Sequence, residues 1–166
     1  MDRLVREVRL DDAEAIVRIL NPIIEAKVYT AFDTLFTVEY ERDYILNFPQ
    51  RGVFNVAIRH QDERVLGFQS MEPFATYTHA FDHVGVLGTY VDLACRRQGI
   101  SRSLFRATLE AARGKGYEKI FTFVRADNLA ALVTYLKQDF SIVGTARRQA
   151  KVNGTYVDEI IIERFL

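Results

Sequence analysis

The 166-residue sequence predicts an α/β fold, a mixed α+β sheet covered by helices, on three observations. Short apolar or alternating segments of strand length are interspersed with amphipathic segments of helical period. Residues 120–124, Ile-Phe-Thr-Phe-Val, form a nearly continuous apolar run of the kind a central strand needs. The chain closes on two strand-like segments around Asn153-Gly154, a pair that readily takes the positive φ angles of a tight hairpin. The expected order is β-α-α-β-β-β-α-β-α-β-β. No repeat, linker or low-complexity tract interrupts it, so residues 1–166 read as one domain.

Residues 5–9 alternate apolar and polar side chains, as a short strand does. Asp11 and Glu14 have the spacing of a capping box for a helix carrying Ala15, Ile16, Ile19 and Leu20, with Pro22 as an interruption or a kink. Residues 23–36 read either as further helix or as loop. Thr37 caps a short helix with Tyr40, Tyr44, Ile45 and Phe48 near one face, stopping at Pro49. Three strands follow, at 54–58, 65–71 and 84–91, the second ending before Pro73 and the third containing Gly85 and Gly88, which mark a bulge or a close backbone approach. A helix from Gly99 or Ile100 to about residue 113 has Ile100, Leu104, Phe105, Leu109 and Ala112 as its stripe. After the 120–124 strand, Asp127 or Asn128 caps a helix with Leu132, Tyr135 and Leu136 inward, and 142–150 and 156–163 form the terminal hairpin.

Composition narrows the function classes. Twenty-two basic and 22 acidic residues leave no net charge, so nothing draws the whole chain to nucleic acid or to an anionic membrane. No apolar stretch approaches the roughly 20 residues of a membrane helix, and residues 1–7 lack the apolar run of a signal peptide. Cys95 is the one cysteine, which fits a reducing compartment. A cytoplasmic location is expected. Asn153-Gly154-Thr155 matches a glycosylation acceptor but reads better as a turn. His60, His79 and His83 form no compact ligand set with Cys95, so no metal is expected.

The most informative segment is 91–101, Val-Asp-Leu-Ala-Cys-Arg-Arg-Gln-Gly-Ile-Ser, where a strand ends, the chain turns and a helix begins near Gly99. The first turn of a helix has free N–H groups that point toward an anion, and its dipole adds a modest favourable contribution. Gly99 permits close approach or a positive φ, and Ser101 is small enough not to block a ligand. From Arg96 to Tyr117 there are six basic residues and one acid, Glu110, and Arg102 and Arg106 share a helix face. These arginines are either phosphate donors or a solvated surface. Neither G-x-x-x-x-G-K-[ST] nor a G-x-G-x-x-G after the first strand is present.

At these residues the sequence resembles the GNAT superfamily of N-acetyltransferases, whose Q/R-x-x-G-x-G/A motif binds the diphosphate of acetyl-coenzyme A. Arg96, Gly99 and Ser101 occupy its named positions, with serine in place of glycine or alanine. A second match, to D-N-x-x-A-x-x-x-Y-x-x-x-G-F, covers residues 127–140. There Asn128, Ala131, Tyr135 and Phe140 agree and Asp139 replaces the glycine. The opening helices and the terminal hairpin look like the phosphinothricin acetyltransferase-like branch.

The resemblance implies that the strands at 84–91 and 120–124 run parallel and splay apart. The pantetheine arm of acetyl-CoA would enter that gap and pair with backbone near Tyr90 and Val91. Its diphosphate would meet N–H groups from Gln98 through Gly99, Ile100, Ser101 and Arg102, beside Arg96 and Arg97, and Asn128 would contribute to the cofactor site. The acceptor would be the primary amine of a small molecule, an amino acid or analogue in that branch, attacking in a ternary complex; a protein N-terminus or lysine is the other kind of amine. Tyr135 would protonate the departing thiolate, and a backbone N–H near Val91 would stabilise the oxyanion. Bottom-up, Tyr135 equally reads as a packed side chain. Glu72 is a candidate base or a solvated loop carboxylate, with Asp82, His79 and His83 as alternatives. Cys95 reads as a packed thiol rather than a nucleophile. A homodimer through the terminal hairpin is implied. The competing reading is a non-catalytic acyl-CoA sensor or interaction domain on the same scaffold.

Overall fold

A computed structural model describes residues 3–166. Its strands are β1 (Arg3–Glu7), β2 (Val53–Arg59), β3 (Val65–Pro73), β4 (Val84–Val91), β5 (Lys119–Arg125), β6 (Ser141–Val152) and β7 (Thr155–Phe165). Its helices are α1 (Ala13–Glu25), α2 (Val38–Leu46), α3 (Ile100–Gly114) and α4 (Leu129–Leu136). The strands form one mixed sheet in the order β1-β2-β3-β4-β5-β7-β6. Among the described residues β4 and β5 pair in parallel and every other neighbouring pair is antiparallel.

Period-two alternation sends the side chains of this sheet to two layers. Phe54, Val56 and Ile58 of β2 and Phe68 of β3 pack with Ile16, Ile19, Leu20, Ile23 and Ile24 of α1. Val53, Met71, Leu87, Ile120, Val124 and Ile162 face the other way and pack with Phe105, Leu109 and Ala112 of α3 and Tyr135 of α4. Phe105, Tyr135 and Phe140 form a triangle of edge-to-face rings with centroids 5.2–5.9 Å apart, which fixes α4 against α3. Gly67 lets α3 settle at the β3–β4 edge, since a Cβ there would lie 2.8 Å from the Tyr90 carbonyl oxygen and 3.1 Å from Ile100.

Several boundaries differ from the sequence reading for local reasons. β1 spans 3–7 rather than 5–9 because its register with β2 runs from Arg3↔Arg59 to Glu7↔Asn55. The entry to α1 is secured by Asp12, not by Asp11 and Glu14. The Asp12 carboxylate accepts from the Arg9 N–H at 2.7 Å and takes two bonds from Arg6, at 2.7 and 2.9 Å. Pro22 lies inside α1, which ends at Glu25, so residues 26–37 are loop. Thr37 caps α2 through the Tyr40 N–H, as expected. β3 runs through Glu72 to Pro73, which is tolerated as the last residue of the strand. Gly85 and Gly88 mark close approach and not a bulge, because the β3–β4 register is unbroken. Asn153 and Gly154 both take positive φ, 51° and 81°, in the hairpin turn between β6 and β7.

Candidate active site

β4 and β5 form a fork. Their pairing runs from Val84↔Lys119 to Val86↔Phe121 and stops, although the strands continue to Val91 and Arg125. Beyond the last pair β4 follows β3 and β5 follows β7, each antiparallel and in register to its end. At the apex the Thr122 hydroxyl donates to the Leu87 carbonyl at 2.6 Å, where a backbone donor would otherwise stand. That bond shows which way Leu87 points its main chain, and strand alternation carries the direction to Thr89 and Val91. The peptide groups of Thr89 and Val91 therefore face the open gap. Those of Tyr90 turn toward β3, consistent with the Tyr90 carbonyl lying beside Gly67.

The gap opens into a cavity of about 930 Å³ that passes through the sheet. Of the residues singled out in the sequence, Glu72, Tyr90, Val91, Arg96, Arg97, Gly99, Ile100, Ser101, Asn128 and Tyr135 line it, and Gln98 and Arg102 do not. At one end the chain leaves β4 through Asp92, whose carboxylate accepts from the Ala94 N–H at 3.0 Å and from Arg18 and Arg64 at 2.9 and 3.2 Å. Burial works against that charge, but these bonds outweigh it and hold the carboxyl below its usual range. The chain then reverses with Arg97 and Gly99 both left-handed, at φ 60° and 77°. α3 starts at Ile100, so the N–H groups of Ile100, Ser101 and Arg102 lie in its first turn, without intrahelical acceptors. A concave run of main-chain donors at a helix start is an anion cradle.

Tyr135 sits on the α3–α4 side of the fork, 7% exposed. Its hydroxyl donates to the Thr89 hydroxyl at 3.1 Å, which also accepts from Gln69 at 2.8 Å. Burial pushes the phenol up to about 12, so it keeps its proton throughout the neutral range. Packed ring and wall of the cavity are therefore both true of this side chain. Asn128 caps α4 by accepting from the Ala131 N–H at 3.2 Å, and donates to the Tyr29 carbonyl at 3.1 Å.

The opposite side of the sheet holds a chamber that the sequence reading did not assemble. Glu72 belongs to β3 rather than to a loop, and its carboxylate accepts a hydrogen bond from the Tyr44 hydroxyl of α2. Burial, then this carboxylate, keeps the Tyr44 phenol protonated far above its usual range. Glu41, one helical turn before Tyr44, lines the same chamber at 4% exposure. The Glu41 carboxylate has no hydrogen-bond or ion-pair partner among the described residues, and burial pushes it up to about 7. The one signal for it in the sequence was an acid three and four residues before Tyr44 and Ile45, on the apolar face of α2. Phe32, Phe36, Tyr40, Phe54, Phe68, Phe74 and Phe123 supply apolar walls.

Residues 26–37 strap the two prongs together. Arg125 donates to the carbonyls of Lys27 and Thr30 at 2.9 and 3.0 Å, and the Arg96 guanidinium stacks 4.0 Å over the Tyr29 ring. His60, His79, Asp82 and His83 are not among the lining residues, and His79 pairs with Asp82 at 2.9 Å on the surface. Cys95 does line the cavity, packed beside Ile100 and Leu104. No group of three potential metal ligands occurs among the described residues, and no helix there is long and apolar enough to cross a membrane.

The profile of the acetyltransferase (GNAT) family matches residues 19–140. A phosphinothricin acetyltransferase-like protein of Bacillus subtilis is 26% identical over 155 residues, covering 93% of this chain and 94% of its own. A ribosomal-protein-alanine N-acetyltransferase from Brucella melitensis superposes with a TM-score of 0.90 at 26% identity, over 98% of this chain and 99% of that one. YncA of Salmonella typhimurium, solved with acetyl-CoA, superposes with a TM-score of 0.90 at 16% identity, over 100% of this chain and 95% of that one. At that identity the last likeness concerns the fold alone.

Proposed function

Since the chain belongs to the GNAT family of acetyltransferases, we propose that residues 1–166 act as one domain that transfers the acetyl group of acetyl-CoA to the primary amine of a small molecule. The observation that carries this reading is the fork itself. Thr89 and Val91 face the gap with free main-chain groups, and the gap ends at the anion cradle of 97–102. The acetyl-CoA bound to the Salmonella protein of like fold supports the choice of cofactor. The residues present fit it. The first-turn N–H groups of α3, with Arg96 and Arg97 beside them, would hold the diphosphate, and the main chain of Val91 and the Thr89 carbonyl would hold the pantetheine amides in place of a missing strand. Asn128 and Tyr135 line the same passage.

The amine must be neutral to attack the thioester carbonyl. Its proton leaves to Glu72, directly or through water, or to solvent. The carbonyl oxygen gathers negative charge, which the Thr89 N–H, aimed into the gap nearer the apex than Val91 and beside Tyr135, stabilises. As the carbon–sulfur bond breaks, the Tyr135 hydroxyl turns from Thr89 and protonates the sulfur. Held in one passage, amine and thioester meet without the entropic cost of a bimolecular encounter. Transfer is direct, because Cys95 is packed at the α3 end, the far end of the cavity from Glu72.

The names of the relatives bring two kinds of acceptor to the bench, phosphinothricin and a ribosomal protein. A chamber walled by aromatic side chains favours the small molecule. The test is release of coenzyme A across a panel of amino acids, other amines and peptide N-termini, beside a titration of acetyl-CoA. Turnover with small amines is expected; tight cofactor binding without turnover on any acceptor would replace the enzyme with a sensor. The same reading keeps the chain in the cytoplasm and allows a homodimer through the β6–β7 hairpin, where Ile142, Val143 and Tyr156 are exposed.

A further inference from the structure

Taking acetyl transfer at this cavity as given, we infer that the acceptor is a primary amine on an apolar body that carries no carboxylate, and that Glu41 recognises it. The charges lining the cavity decide this. Its cations are Arg96, Arg97 and Arg125, and its anions are Glu41, Glu72 and Glu159. Four of the five N–H donors of Arg125 are already spent, two on Asp127 and two on the carbonyls of Lys27 and Thr30. Arg96 and Arg97 stand beyond the end of β4. Glu72 lies opposite Val86, five residues before Val91, so about 17 Å of strand separates it from that end.

The chamber around Glu72 and Glu41 therefore has two carboxylates and no cation among its lining residues. An α-amino acid would bring its own carboxylate into that field with nothing to pair it, at a cost that buried like charges make large. A carboxylate-free amine brings one positive charge and an apolar body. The body meets Phe36, Tyr40, Phe74 and Phe123, and the charge meets Glu41. Glu41 is the second, independent sign of a ligand: a residue 4% exposed that lines the chamber, its carboxylate without a partner among the described residues. Glu72 differs, because Tyr44 already holds it. The two acids thus divide the work, Glu41 for recognition and Glu72 for the proton.

Two matched pairs, phenethylamine with phenylalanine and cadaverine with lysine, differ within each pair by one carboxylate. Each compound is titrated calorimetrically into the complex of the whole protein with coenzyme A, and each is assayed for coenzyme A release from acetyl-CoA. The amine of each pair is expected to bind at least about tenfold tighter than its amino acid. Glu41→Gln should weaken the amine by about tenfold, leave the amino acid unchanged and leave the coenzyme A affinity intact, which also reports a folded protein. Equal or tighter binding of the amino acids, no binding of either amine, or indifference of the amines to Glu41→Gln each overturns the inference. Preferred binding of the amines without acetylation would instead remove the transfer reading and leave the chamber's preference standing. Acetylation with the amino acids preferred would do the reverse.

Discussion

On the proposed reading, the working groups at the α3 end of the cavity are peptide N–H groups set by two left-handed residues and a helix start, all within residues 97–102. At the other end they are side chains from α2, β3 and the loop after α1, and Glu72 comes within reach of Tyr44 and Glu41 only through the folding of the whole sheet. A cradle made of main chain depends on conformation and tolerates much variation in side chains. A chamber made of side chains depends on identity and can change its ligand by single substitutions. The contrast teaches why one end can be common to many proteins while the other sets what each one acts upon.

The sharpest challenge to that contrast is Tyr135→Phe, where one side chain is asked to act beside the main-chain cradle. We expect kcat to fall by about 100-fold, the usual range for losing a general acid, with the acetyl-CoA dissociation constant unchanged. Steady-state rates and a cofactor titration check this, and unchanged turnover would take Tyr135 out of the mechanism. Gly99→Val comes next. The site is open, with only the Arg3 guanidinium 3.5 Å from a new Cβ, so the effect must come through φ. Left-handed strain of about 1–2 kcal/mol would shift the turn and weaken acetyl-CoA by about 5- to 30-fold. A wild-type dissociation constant in a folded variant would break the claim that conformation builds this end.

Glu41 tests the chamber by pH. Burial raises its carboxyl from the ordinary 4.5 to about 7, so between those values the folded chain holds a proton that the unfolded chain releases. Stability therefore falls as pH rises through this window and stays lower above it. The shift sets a ceiling of about 3 kcal/mol, which water in the open cavity reduces to about 1–2 kcal/mol. Glu41→Gln should accordingly gain about that much at pH 8 and little at pH 5, read by denaturant unfolding at both values. Equal gains would mean that Glu41 is not a strained acid.

The smallest effect lies outside the cavity. Asp139 stands where the resembling family has glycine, and the turn after α4 keeps its left-handed form regardless, with φ 58°. Aspartate tolerates that region, and Arg164 stands 3.5 Å from its carboxylate. Asp139→Gly should stabilise by about 0.5–1 kcal/mol at unchanged activity, checked by thermal unfolding and steady-state rates.

The order of elements and the turn at 96–101 could be read from the chain because each is encoded locally, by periodicity, caps and a glycine at a helix start. The fork was expected only through the resemblance, and the structure shows it with its apex at Thr122, a residue with no outward sign of that task. The chamber was illegible for a plainer reason. Glu41 looks like any helix-surface acid until β3 brings Glu72 beneath α2, and Glu72 looked like a loop residue because Pro73 suggested that the strand had ended. Strand ends tolerate proline, so β3 takes in Pro73 as its last residue and Glu72 with it.

The hydroxyl that stops the sheet at Leu87 also works as a depth gauge. On the proposed reading, a carrier anchored by its phosphates at residue 100 can advance only until the strands close, so its length alone dictates where the reactive carbon comes to rest. Tolerance for bulkier acyl groups must then be decided by the room left around Phe74 and Phe123, beyond the stop, and not by the passage that admits the carrier.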